Sequence, residues 1–76
     1  MDVRQVFGTN VRRLRLERGL SQEEFGFTAD IDRTYVSGVE RGVRNPSLVL
    51  AQKFADGLEV ELFELLRPLE LGRGLQ

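Results

Sequence analysis

Residues 19 to 42 read GLSQEEFGFTADIDRTYVSGVERG, and two helix starts are written into them. Ser21 followed three residues later by Glu24 is a capping box, in which each side chain accepts a hydrogen bond from the other residue's backbone N–H. It predicts a helix running to about Ala29 with Phe25 facing inward. Asp30 then stands where the chain must turn, and Asp32 is suited to cap a second helix, Arg33 to Arg41. Val36 and Val39 face the core of that helix, and Gly42 marks its end. The outcome is a pair of short helices joined by a turn of about three residues.

Upstream, Phe7, Val11 and Leu14 fall at i, i+4 and i+7, with Val3 one turn earlier and Asp2 as N-cap. Residues 2 to 18 therefore read as an amphipathic helix stopped by Gly19. Downstream, Ser47 caps a helix from Leu48 to about Leu58, with Leu48, Ala51, Phe54, Ala55 and Leu58 on one stripe. A fifth helix, Glu61 to Leu66, is closed by Pro68, and the tail 69 to 76 is expected to be flexible. No alternating apolar and polar run of strand length occurs. The expectation is an all-α, compact five-helix fold in a single domain, residues 1 to 68.

The chain has 76 residues and a mass of 8.7 kDa. A chain this small buries only about 60% of its unfolded surface, so a second subunit is a natural source of further burial. It holds no Cys and no His, which removes zinc fingers, Cys or His nucleophiles, the Ser-His-Asp triad and any imidazole base. No carboxylate pair, calcium loop or phosphate-binding Gly loop is present, so no enzyme, cofactor or metal is expected. No apolar run approaches the roughly 18 residues of a membrane span and no signal-peptide pattern opens the chain; a cytoplasmic protein is expected.

The net charge is only -1, but it is unevenly spread. Residues 1 to 46 carry eight arginines against seven acids, while residues 47 to 76 carry three bases against five acids. Of the 11 bases all but Lys53 are Arg, whose planar fork suits phosphate and guanine. A basic front and an acidic back, with a helix pair in the front, form the arrangement by which a second helix enters a DNA major groove.

The runs Gly19-Leu20-Ser21-Gln22-Glu23-Glu24-Phe25, Ile31-Asp32-Arg33-Thr34-Tyr35-Val36-Ser37-Gly38-Val39-Glu40-Arg41-Gly42 and Arg44-Asn45-Pro46-Ser47-Leu48 carry a resemblance. Over roughly residues 7 to 66, without a gap, the sequence resembles the lambda-repressor-like (XRE) helix-turn-helix family. With Asp32 to Arg41 in so short a domain, it looks most like the controller proteins of restriction-modification systems. The resemblance implies a homodimeric, sequence-specific regulator of transcription on a palindromic operator in double-stranded DNA, controlling restriction-modification genes including its own. It also implies RNA polymerase as a further partner, with Glu23 and Glu24 as the residues to touch it. A phage-type repressor, or an antitoxin or other protein-interaction module using an apolar C-terminal surface, is the alternative. Four positions depart from the family pattern. Asp30 and Glu59 stand where Gly is usual, and Gly26 and Gly57 stand where Ala is usual.

In this resemblance Gln22, in the first turn of the second helix, meets a phosphate together with the helix N-terminus. Arg33 and Thr34 lie on the exposed first turn of the third helix, where Arg can take guanine O6 and N7 as a bidentate pair. Ser37 lies one turn on, and Gly38 leaves room for the DNA. Tyr35 either packs beneath the helix or directs its hydroxyl to a phosphate. Arg44 and Asn45, in the following loop, reach backbone phosphates or an adjacent groove edge. Glu40 is read as structural, pairing with an Arg of the first helix such as Arg12 or Arg13, while the cluster Arg12, Arg13, Arg15 and Arg18 is read mainly as a solvated face.

Apolar residues off the core stripes point to an interface. Val49, Leu50, Leu62, Phe63 and Leu66, with Leu65 and Leu69 nearby, are read as a two-fold dimer surface that sets two recognition helices about 34 Å apart. The alternative has the tail from Leu69 folding back over Phe63.

Overall fold

The computed structural model describes residues 2 to 68. Its elements are α1 (Val3–Glu17), α2 (Gln22–Ala29), α3 (Arg33–Glu40), α4 (Leu48–Leu58) and α5 (Leu62–Leu65), with no strand among the described residues. The expected tail 69 to 76, and Leu69 with it, lies outside them.

Four of the five helix starts, those of α1 to α4, are fixed by a short polar side chain. Asp2 accepts from the Arg4 backbone at 2.9 Å, Ser47 from Leu50 at 3.1 Å, and Asp32 from Thr34 at 2.7 Å. Both bonds of the capping box form, Glu24 N to Ser21 Oγ at 3.0 Å and Ser21 N to Glu24 Oε1 at 2.8 Å. Such caps satisfy backbone donors that the helix itself leaves unpaired. Two helices end on left-handed residues that are not glycine, Asp30 (φ 59°) and Glu59 (φ 60°). Asp accepts this conformation readily. Lys53 Nζ donates to the Asp30 carbonyl at 3.0 Å, and Glu59 pairs with Arg18 at 3.3 Å.

The core collects one stripe from every helix: Phe7 and Val11 of α1, Phe25 of α2, Val36 and Val39 of α3, Phe54 and Leu58 of α4, and Leu65 of α5. Phe54 is its centre, meeting Phe7 edge-on at 5.7 Å and Phe25 at 5.8 Å between ring centroids. Two expected core members are outside it. Val3 and Leu48 are exposed, because each opens its helix where no neighbouring element covers the first turn. In the opposite sense, Leu65 is fully buried rather than part of the dimer surface.

Close approach explains the helical glycines. A Cβ on Gly8 would collide with the Val39 carbonyl, so α1 and α3 touch through backbone. A Cβ on Gly26 would stand 2.5 Å from the Ile31 carbonyl, inside the turn that joins α2 to α3. Gly57 similarly faces Ala29 and Phe25. At these positions the loss of helix propensity is exchanged for packing that alanine would disrupt.

Asn10 is the buried polar residue that the sequence reading passes over. Its amide donates to the carbonyls of Leu65 at 3.0 Å and Arg67 at 2.8 Å, closing the end of α5 onto α1. Buried amides persist where such bonds are made.

Candidate nucleic-acid interface

Helix α3 has one open end and one enclosed end. At the open end the Asp32 carboxylate is turned to the backbone N–H of Thr34, which places Arg33 and Thr34 in solvent on the first turn. Among the described residues Arg33 makes no ion pair, with Asp32 or any other acid. Ser37, half-buried, follows one turn later. A helix N-terminus carries partial positive charge, and a free guanidinium there adds a full one.

At the enclosed end Glu40 is the acceptor of a three-helix network. Arg15 donates from Nε to Glu40 Oε2 at 2.7 Å and from Nη2 to Oε1 at 3.0 Å, while its Nη1 donates to the Leu20 carbonyl at 2.7 Å. Gln22 Nε2 donates to Glu40 Oε1 at 3.1 Å. The two charged side chains are 6% and 2% exposed, so the pair is buried. A carboxylate at a helix C-terminus opposes the helix dipole and loses hydration; the bidentate Arg offsets both. The bond to Glu40 is the main cause that holds the Arg15 guanidinium above its ordinary pKa, against desolvation.

Glu40 thus pairs with an Arg of α1 as expected, but the residue is Arg15 rather than Arg12 or Arg13. Arg15 follows Val11 by four residues and therefore lies on the buried face of α1, a spacing that could have identified it. Arg13 instead pairs with Glu17 at 3.2 Å on the outside, and Arg12 is exposed. Gln22 is half-buried and directs one amide N–H to Glu40, which leaves the second amide N–H and the start of α2 for an anion.

Arg44 and Asn45 are exposed in the loop after α3. The Arg44 guanidinium lies over the Tyr35 ring, 5.4 Å from its centroid, and Tyr35 is half-buried against the core. Gly38, expected to open onto the groove, is buried beneath the Arg44 side chain. Hence Arg33, Thr34 and Ser37 lie on the open side of α3, with Arg44 laid over Tyr35 and Gly38, Gln22 beside Glu40, and Asn45 at the rim of an apolar cleft.

Along α4 and α5, Leu48 (78%), Val49 (77%) and Phe63 (62%) are exposed, as is Leu66. Leu50 and Leu62, expected at the same surface, are half-buried against the core. A shallow apolar cleft of about 190 Å³ runs between Val3, Phe7, Leu48, Ala51, Leu62 and Leu66. Phe27, on α2, is 90% exposed. No helix among the described residues is long and apolar enough to cross a membrane.

The model of the Helix-turn-helix family (HTH_3) matches residues 11–65. The control protein C.MunI of a Mycoplasma species is 44% identical over 70 residues, which cover 91% of this chain and 95% of that protein. The restriction-modification controller protein C.AhdI from Aeromonas hydrophila has a solved structure similar to this one, with a TM-score of 0.78 at 50% identity over 82% of this chain and 94% of that one. The controller protein C.Esp1396I, solved as a tetramer in complex with its natural 35 base-pair operator, gives a TM-score of 0.79 at 33% identity over 87% of this chain and 91% of that one. With its capped helix pair, its five-helix core and these matches over most of its length, the chain belongs to the helix-turn-helix family that includes the restriction-modification controller proteins.

Proposed function

We propose that this protein is a sequence-specific, DNA-binding regulator of transcription of the restriction-modification controller type, acting as a homodimer on a palindromic operator and controlling its own gene among others. The observation that carries the reading is the open end of α3: an exposed Arg33, without an ion pair among the described residues, beside Thr34 on a helix whose far end is locked by buried Glu40. Arg33, Thr34 and Ser37 read base edges in the major groove, while Gln22, Arg44 and Asn45 hold phosphates. The DNA-bound controller relative supports the same use of the fold.

Val49, Phe63 and Leu66, with the half-buried Leu50 and Leu62, form the dimer surface in this reading, because exposed apolar groups of this size gain most from a second copy. Contact with RNA polymerase falls to the start of α2, where Glu23 is exposed and Glu24 is held by its cap. Selection of bound duplexes from a random DNA library at roughly physiological salt, about 0.15 M, tests the reading. Enrichment of a two-fold symmetric site is expected. Recovery of no preferred sequence would reject it and favour a protein-interaction module built on the apolar surface.

A further inference from the structure

The Arg44 side chain is long, exposed and in a loop, yet it lies back along α3. Three features hold it there. Gly42 adopts φ 77°, and the backbone N–H groups of Gly42 and Val43 donate to the carbonyls of Val39 and Gly38, each at 3.0 Å, folding the loop onto the end of the helix. Tyr35 and Gly38 are three residues apart, so they share one face of α3. The Arg44 stem crosses that face at Gly38, where an added Cβ would stand 2.7 Å from Arg44 Cγ and 3.1 Å from Nε. The guanidinium then rests over the Tyr35 ring at 5.4 Å.

We propose that Tyr35 and Gly38 are positioning residues that form a seat for Arg44, presenting its guanidinium beside the recognition helix before DNA arrives. The inference rests on the DNA-binding reading above. An unrestrained Arg loses rotamer freedom when it binds; an Arg already laid on an aromatic ring loses less. The ring face attracts the cation while leaving its N–H donors, which lie in the guanidinium plane, directed outward. Gly38 matters here for the absence of a side chain, which lets the stem lie flat against the helix. Tyr35 acts through its ring and not through its hydroxyl.

The test combines the free protein with double-mutant cycles. In the free protein, NMR should show the Arg44 methylene protons shifted upfield by the Tyr35 ring and returned to ordinary values in Tyr35→Leu; ordinary values in the wild type would overturn the seat. Binding is then measured on the duplex that the wild-type protein enriches from a random library. Gly38→Ala and Tyr35→Leu should each weaken it about threefold to tenfold, Tyr35→Phe should match the wild type, and neither Gly38→Ala nor Tyr35→Leu should weaken binding further in an Arg44→Ala background. Thermal unfolding of each variant without DNA shows that the fold is intact. A Gly38→Ala defect that persists without Arg44 would mean direct crowding of DNA, and a Tyr35→Phe defect would mean a hydroxyl contact; either overturns the proposal. If the wild type enriches no duplex, the DNA-binding reading fails and the positioning role with it, even where the NMR shifts are present.

Discussion

At the C-terminal end of α3 the Glu40 carboxylate is enclosed by Arg15 and Gln22, whereas at the N-terminal end Arg33 and Thr34 stand in solvent above a backbone cap. The two ends are only two turns apart and use the same kinds of group. What separates them is how completely each charge is matched. Glu40 accepts from Arg15 twice and from Gln22 once, so α3 is fixed to α1 and to the start of α2. Arg33 is matched by nothing among the described residues, so its donors are available to a ligand. A helix held rigidly at one end can present unsatisfied groups at the other without losing its orientation.

The largest effect is expected from breaking the enclosed end. Glu40→Ala leaves Arg15 buried and unpaired, and should cost about 3–5 kcal/mol of stability in urea unfolding. Replacing both partners by apolar residues of similar size should recover most of that loss, since the buried charges and their desolvation disappear together. The same contrast extends across the molecule, where the exposed apolar surface has no polar network to complete it. Phe63→Glu should weaken self-association by about 2 kcal/mol or more, read by sedimentation as a shift toward monomer at micromolar concentration.

At the open end the balance is reversed. Arg33→Ala should leave urea unfolding within about 0.5 kcal/mol of the wild type, because the side chain supports nothing in the fold. It should nevertheless remove about 1–3 kcal/mol of discrimination between the selected site and a site altered at one base pair. The smallest loss belongs to the cap of the open end: Asp32→Ala should lower stability by about 1 kcal/mol through loss of the bond to Thr34.

Much of this arrangement was legible in the sequence, and what was legible was local. Ser21, Asp32 and Ser47 mark helix starts because the hydrogen bonds that make them caps span two or three residues. Asp30 was readable as a left-handed turn residue for the same reason, while Glu59 in that conformation had no such precedent in its own side chain. Periodicity placed Phe25, Val36, Val39 and Phe54 in the core, but it failed at Val3 and Leu48, where a helix stripe continues past the element that would cover it. It also set Leu65 on the surface, although α5 turns that residue inward.

The features that escaped depend on distant residues. Arg15 meets Glu40 across 25 positions, and Asn10 meets Leu65 across 55; neither partner is named by its own neighbourhood. Arg15 looked like one member of a solvated cluster, and only its register with Val11 separates it from Arg12 and Arg13. Gly38 was read as room for DNA, whereas the loop folds Arg44 into that space. The exposed Arg33 and Thr34 needed less information, because an exposed helix start follows directly from its cap.

Reading of base edges by Arg33, Thr34 and Ser37 at the open end of α3 is the proposed basis of operator recognition. The most direct measurement is the ratio of affinities for the selected duplex and for a scrambled duplex of equal length, taken at about 0.15 M salt for the wild type and for Arg33→Ala. A large ratio is expected for the wild type and a ratio at least tenfold smaller for the variant, with the fold unchanged. An equal ratio for the two proteins would contradict it.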